Sequence, residues 1–150
     1  MEIKIKTPGK DAIDHLKAHW KPIGLYGEFE FPIVTFTHLS RDQSLRCCTL
    51  DEKKISHHIK SIRWDTYDDE TKSIVADIDF VGPYASLAIS LFLKDAVRFA
   101  SRYLVVKNLA RIITWDIITK PDDINVKEAI RTFEMMKRKP IVKPNLPSQN

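Results

Sequence analysis

The sequence predicts an α+β fold built on a mixed or antiparallel sheet or barrel. Three observations predict it. Strand-like segments dominate the centre of the chain. A single helix, apolar nearly all round, interrupts them near residues 84–96. No alternation of strand and helix of the doubly wound kind occurs. The chain has 150 residues, enough for one domain with a real core. Its hydrophobic fraction is 43% and its charged fraction 29%, ordinary for a globular protein.

Along the chain, Glu2 to Lys6 alternates charged and apolar residues, as a short strand does. Thr7 and Pro8 form an N-cap and first helical position for a helix over residues 11–20, with Ile13, Leu16 and Trp20 on one stripe. Residues 28–37 are β-rich but broken at Pro32, and residues 39–50 are polar without a clean period, a loop. Residues 55–64 and 72–81 predict a hairpin joined by a polar, acidic turn over residues 65–71. In its second strand Ile74, Ala76, Ile78 and Phe80 share one face, with Asp77 and Asp79 on the other. Gly82 and Pro83 end that strand, and the helix of residues 84–96 is expected to be buried. Two further strands cover residues 97–106 and 111–119. An amphipathic helix covers residues 125–139, with Asn125 as its cap and Glu128 three residues on. The domain is expected to span residues 1–139. Residues 140–150 hold three prolines and predict an extended tail with few contacts.

Composition excludes several classes. No apolar run approaches membrane-span length, and residues 1–6 include no apolar signal segment, so an intracellular protein without a membrane partner is expected. Cys47 and Cys48 are adjacent, which disfavours a disulfide between them, and no second pair completes a zinc site. No metal and no cofactor are expected. With 4 glycines the chain has no phosphate loop, and it lacks both a Gly-x-Ser-x-Gly elbow and a His-Glu-x-x-His helix. Net charge is +4. Much of the excess lies in Lys137, Arg138, Lys139 and Lys143, a short basic run that reads first as solvated surface. With no base-stacking motif, a nucleic-acid partner is not expected beyond that tail.

Few residues are left for chemistry. They are His38, the adjacent His57 and His58, Ser101 with Arg102, and Asp116 inside an apolar strand. Neighbouring strand residues point to opposite faces, so His57 and His58 cannot readily share an ion. Asp is depleted in strands and a buried carboxylate needs partners, so Asp116 also predicts an ion pair with Arg102 or Arg111.

The order of motifs adds a resemblance. The segment Ile55-Ser56-His57-His58-Ile59 is followed by an acidic turn and a return strand. Then come Gly82-Pro83-Tyr84-Ala85, Ala100-Ser101-Arg102 and Trp115-Asp116-Ile117-Ile118-Thr119-Lys120-Pro121. Across roughly residues 33–125 this resembles the prohead (capsid-maturation) serine proteases of tailed phages. That family has a Ser-His-Arg-Ile strand, a Thr-Pro-x-Gly helix entry, a Ser-Ser-Arg strand and an Asp-x-Val-x-x-Pro strand. The resemblance implies a herpesvirus-protease-like β-barrel with a buried central helix and a C-terminal helix. It implies a serine endopeptidase that trims scaffold and capsid proteins inside the assembling prohead, in the host cytoplasm. Those proteins would be its peptide partners, laid as strands along a barrel edge. His38 would be the general base, Asp116 an orienting group and Arg102 part of the oxyanion site. The oligomeric state stays open, a homo-oligomer among the options.

The departures bear on activity. The family's nucleophile, the first serine of Ser-Ser-Arg, is Ala100 here, and only Ser101 remains. Tyr103 replaces a glycine, and the Asn-Arg-Asn-Gly-Arg entry segment is missing. Three accounts fit: Ala100 replaces a native serine, the protein is a natural pseudo-protease or assembly factor with the same fold, or the register is off by one and Ser101 is the nucleophile.

Overall fold

The computed structural model describes residues 1–7, 9–65, 73–120 and 124–138. The strands β1 (Glu2–Lys6), β2 (Leu25–Glu28), β3 (Ile55–Trp64) and β4 (Ser73–Asp79) form one antiparallel sheet in the order β1-β4-β3-β2. The strands β5 (Val97–Val106) and β6 (Leu109–Thr119) form a second, two-stranded sheet. Their hairpin turns through Lys107 and Asn108, with φ of 52° and 63°. Two consecutive left-handed residues are what a tight hairpin matching the strand twist requires.

The sheets meet where β2 runs beside β6. Phe29 bridges Ile117 in parallel, and the Glu30 amide donates to the Ile117 carbonyl at 2.8 Å. The Thr114 hydroxyl donates to the Tyr26 carbonyl, also at 2.8 Å. Ile3 and Ile5 of β1, Ile59 of β3, and Ile74, Ala76 and Ile78 of β4 face inward. They share a core with Ile112 and Trp115 of β6 and with Ile13 and Leu16 of helix α1 (Lys10–Ala18). The alternating pattern of β4 thus does what the sequence predicts.

Helix α2 (Arg41–Cys47) occupies the stretch expected to be a loop. A capping box holds its start: the Gln43 backbone amide donates to the Ser40 hydroxyl at 3.1 Å, and the Ser40 backbone amide donates to the Gln43 side-chain oxygen at 2.9 Å. Helix α3 (Ala85–Leu93), expected to be buried, is buried on one face only: Leu87, Ala88 and Leu91 join the cluster of Phe29, Val97 and Ile117, while Ser86, Ser90 and Leu93 are exposed. Helix α4 (Ile124–Arg138) closes that cluster with Val126, Ile130 and Phe133. Among the described residues no helix is long and apolar enough to cross a membrane.

Three further expectations are corrected. Neither sheet closes into a barrel. Of the stretch read as β-rich, residues 28–37, only Glu28 belongs to a strand, and among the described residues no ladder joins β5 to β1. Among the described residues, 31–39 make no backbone–backbone hydrogen bond, Pro32 interrupts the stretch, and His38 sits at a φ of 55°. The helix starts also differ: α1 is entered through Gly9 and not capped by Thr7, and Asn125 lies inside α4 and not before it. Residues 66–71 of the expected acidic turn and the tail at residues 140–150 lie outside the described residues.

Candidate functional site

Ala100, Ser101, Arg102 and Asp116 gather on the β5–β6 hairpin; His38 does not. Ala100 stands opposite Asp116, Ser101 opposite Trp115, and Arg102 opposite Thr114. The residues differ in what surrounds them.

Arg102 is buried to 1% exposure, and all five of its N–H donors are engaged. Nε donates to Asp116 Oδ2 at 2.9 Å, and Nη2 to Asp116 Oδ1 at 2.7 Å and to Glu28 Oε2 at 3.0 Å. Nη1 donates to the carbonyls of Thr49 at 2.8 Å and Cys47 at 3.3 Å. Its guanidinium also lies 3.7 Å from the centre of the Phe31 ring. A guanidinium in this state has no donor free for a developing oxyanion.

Asp116 is the partner the strand pattern predicts. It accepts the bidentate pair from Arg102 and a third bond from the Glu28 amide at 2.9 Å. Burial pushes its carboxyl above the ordinary carboxylate range, and the Arg102 bonds and the Glu28 amide oppose that push. Glu28 is the fourth corner. It accepts from Arg102, from the Asp51 amide at 3.1 Å, and in a two-pronged ion pair from Arg46 of α2. Its carboxylate holds the Arg46 guanidinium above its ordinary pKa. The buried Arg102 and the half-buried Arg46 balance the two carboxylates, which is what permits the burial of Glu28 and Asp116. Sequence reasoning does not reach Glu28 and Arg46. Their only signal is a glutamate set between glycine and phenylalanine at the start of a β-rich stretch.

A second polar group lies beneath β6. His57 is fully buried. Its Nε2–H donates to the Trp115 carbonyl at 2.6 Å, which leaves Nδ1 to accept from the Ser56 hydroxyl at 2.8 Å. Burial lowers its pKa to about 4, so the ring is neutral at pH 7. The strand runs so close that a Cβ on Gly27 would collide with His57 Nε2 and the Trp115 carbonyl. Ser56 and His57 thus make a hydroxyl–imidazole bond, but with no solvent access for a substrate. His58 points the other way, stacked on Tyr26 at 4.4 Å and bonded to the Ile23 carbonyl at 2.5 Å.

Ala100, Ser101 and Asp116 border one open hollow, together with Lys6, Thr7 and Arg98. Ile33, Val34, Phe36, Tyr103 and Ile118 add apolar walls. Arg98, Phe99, Ala100 and Ser101 all line it. Consecutive strand residues alternate faces, so the hollow wraps round the open edge of β5. His38 is not there. It is exposed and lines a neighbouring hollow with Leu39, Ser44, Leu104 and Val105, and Phe36 stands between the two and borders both. Leu104 is four positions along β5 from Ala100, about 13 Å at strand rise. Among the described residues no group of three or more His, Cys, Asp or Glu could hold a metal ion. No protein-family model matches this chain, and neither a curated protein nor a solved structure matches it.

Proposed function

We propose that the chain is a non-hydrolytic relative of the prohead proteases, a capsid-assembly or binding factor descended from the herpesvirus-protease-like fold. It would act in the host cytoplasm on capsid and scaffold proteins without cutting them. The observation that carries this reading is the state of Arg102. Where an oxyanion site needs free donors, all five are bonded to Asp116, Glu28 and two carbonyls. Ala100 at the nucleophile position and the separation of His38 point the same way.

A second reading, an active protease using Ser101, is favoured by one observation: Ser101 and Asp116 border the same hollow. General-base activation needs the imidazole within about 3 Å of the hydroxyl, and His38 would have to travel to reach it. A fluorophosphonate probe followed by mass spectrometry decides. Neither the chain nor Ala100→Ser is expected to be labelled. Adduct on Ser101, or on the new serine, that disappears in His38→Ala would overturn the non-hydrolytic reading.

A further inference from the structure

The hollow along β5 has properties that the charge cluster beneath it lacks. β5 pairs only with β6, and among the described residues no backbone bond outside that ladder involves residues 97–106. The stretch of residues 31–39, which lends Ile33, Val34 and Phe36 to the same hollow, makes no backbone–backbone hydrogen bond among the described residues either. Two sides of one slot therefore offer unpaired peptide groups, the condition under which an added strand docks. Its apolar walls, Val34, Phe36 and Tyr103 among them, suit alternate side chains of such a strand.

The charges select the occupant. Lys6 and Arg98 both line the slot, both are exposed, and neither has an ion-pair partner among the described residues. Among the described residues the one carboxylate in the wall, Asp116, is already held by Arg102. Beside Lys6, the Thr7 hydroxyl is buried without a hydrogen-bond partner among the described residues. A buried hydroxyl left so costs free energy that an incoming acceptor would recover.

We infer that this slot captures an extended acidic segment of a partner protein, which adds as a strand along β5 with its carboxylates on Lys6 and Arg98. The inference rests on the non-hydrolytic reading only for the fate of the bound strand, which is held and not cut. The two fail separately. Probe labelling of Ser101 would end the non-hydrolytic reading and leave capture standing, whereas absence of binding would end capture alone.

The test uses the full chain and a fluorescein-labelled heptapeptide of alternating glutamate and valine, read by fluorescence anisotropy. Binding is expected to weaken with salt. Replacing glutamate by glutamine, or making Lys6→Glu with Arg98→Glu, is expected to raise Kd by about tenfold or more. N-methylation of alternate peptide amides should abolish binding, because the ladder donors are lost. Amide shifts should fall on residues 33–36 and 98–103. Both substituted side chains are exposed, so circular dichroism of the double variant should match the parent. Equal affinity for the glutamate and glutamine peptides would overturn the proposal. So would shifts elsewhere, equally tight binding of a uridine oligonucleotide, or self-association of the chain through this edge that the peptide cannot displace.

Discussion

Arg98 and Arg102 lie four residues apart on one strand, yet they live in opposite conditions. Arg102 is sealed beneath the hairpin with every donor bonded, and it joins β2, β5, β6 and the loop after α2. Arg98 is exposed at the rim of the slot with no ion-pair partner among the described residues. The difference separates holding from offering. A guanidinium that completes a buried network stabilises the fold and can bind nothing else. One left open contributes little to stability and is available to a ligand. Residue type alone does not distinguish them; the neighbours on the adjoining strand do.

Arg102→Met tests the contrast most severely. It leaves Glu28 and Asp116 buried with only Arg46 to compensate, and removing one partner of a buried ion network costs about 3–5 kcal/mol. Urea denaturation should show that loss; a change under about 1 kcal/mol would mean the carboxylates reach water.

Acid comes next. The His57 imidazole takes a proton near 6.5 when unfolded and only at about 4 when folded. Its lowered pKa makes the unfolded state the better proton binder between those values, so stability falls as pH drops from 6.5 towards 4 and this contribution levels off below. The shift corresponds to about 3 kcal/mol. Denaturation midpoints across that range should lose most of their pH dependence in His57→Gln. Persistence of the full slope would place the titrating group elsewhere.

Arg98→Glu should disturb the fold least. Stability is expected to stay within about 0.5 kcal/mol of the parent, as with other exposed substitutions. A thermal midpoint lowered as far as that of Arg102→Met would show that Arg98 also holds the fold.

Much of the sheet is legible in the sequence because its strands carry their own pattern. Residues 55–64 and 97–106 are found within the bounds that β-branched and aromatic residues predict. The stretch Ile33-Val34-Thr35-Phe36-Thr37 has the same composition and forms no strand. Strand propensity describes a fit to a neighbouring strand, and there the neighbour is missing. Helix α2 is hidden for the opposite reason: it is short and polar, and its capping box sets its start. In the site, the pairing of Asp116 with Arg102 is readable, because a carboxylate inside an apolar strand demands a cation. Glu28 and Arg46 are not, since Glu28 stands 74 residues from Arg102 and 88 from Asp116, and only the packed fold brings them together. The location of His38 depends on an irregular segment, where neither period nor propensity sets direction.

Those separations also govern time. The Glu28–Arg102–Asp116 cluster closes only after β2, the α2 loop and the β5–β6 hairpin have each arrived, and loop closure over such distances comes late. A contact made after the rate-limiting step does not speed folding; it slows escape from the native state. The cluster then acts as a kinetic latch, and its disruption in Arg102→Met is expected to appear in the unfolding rate, with refolding nearly unchanged.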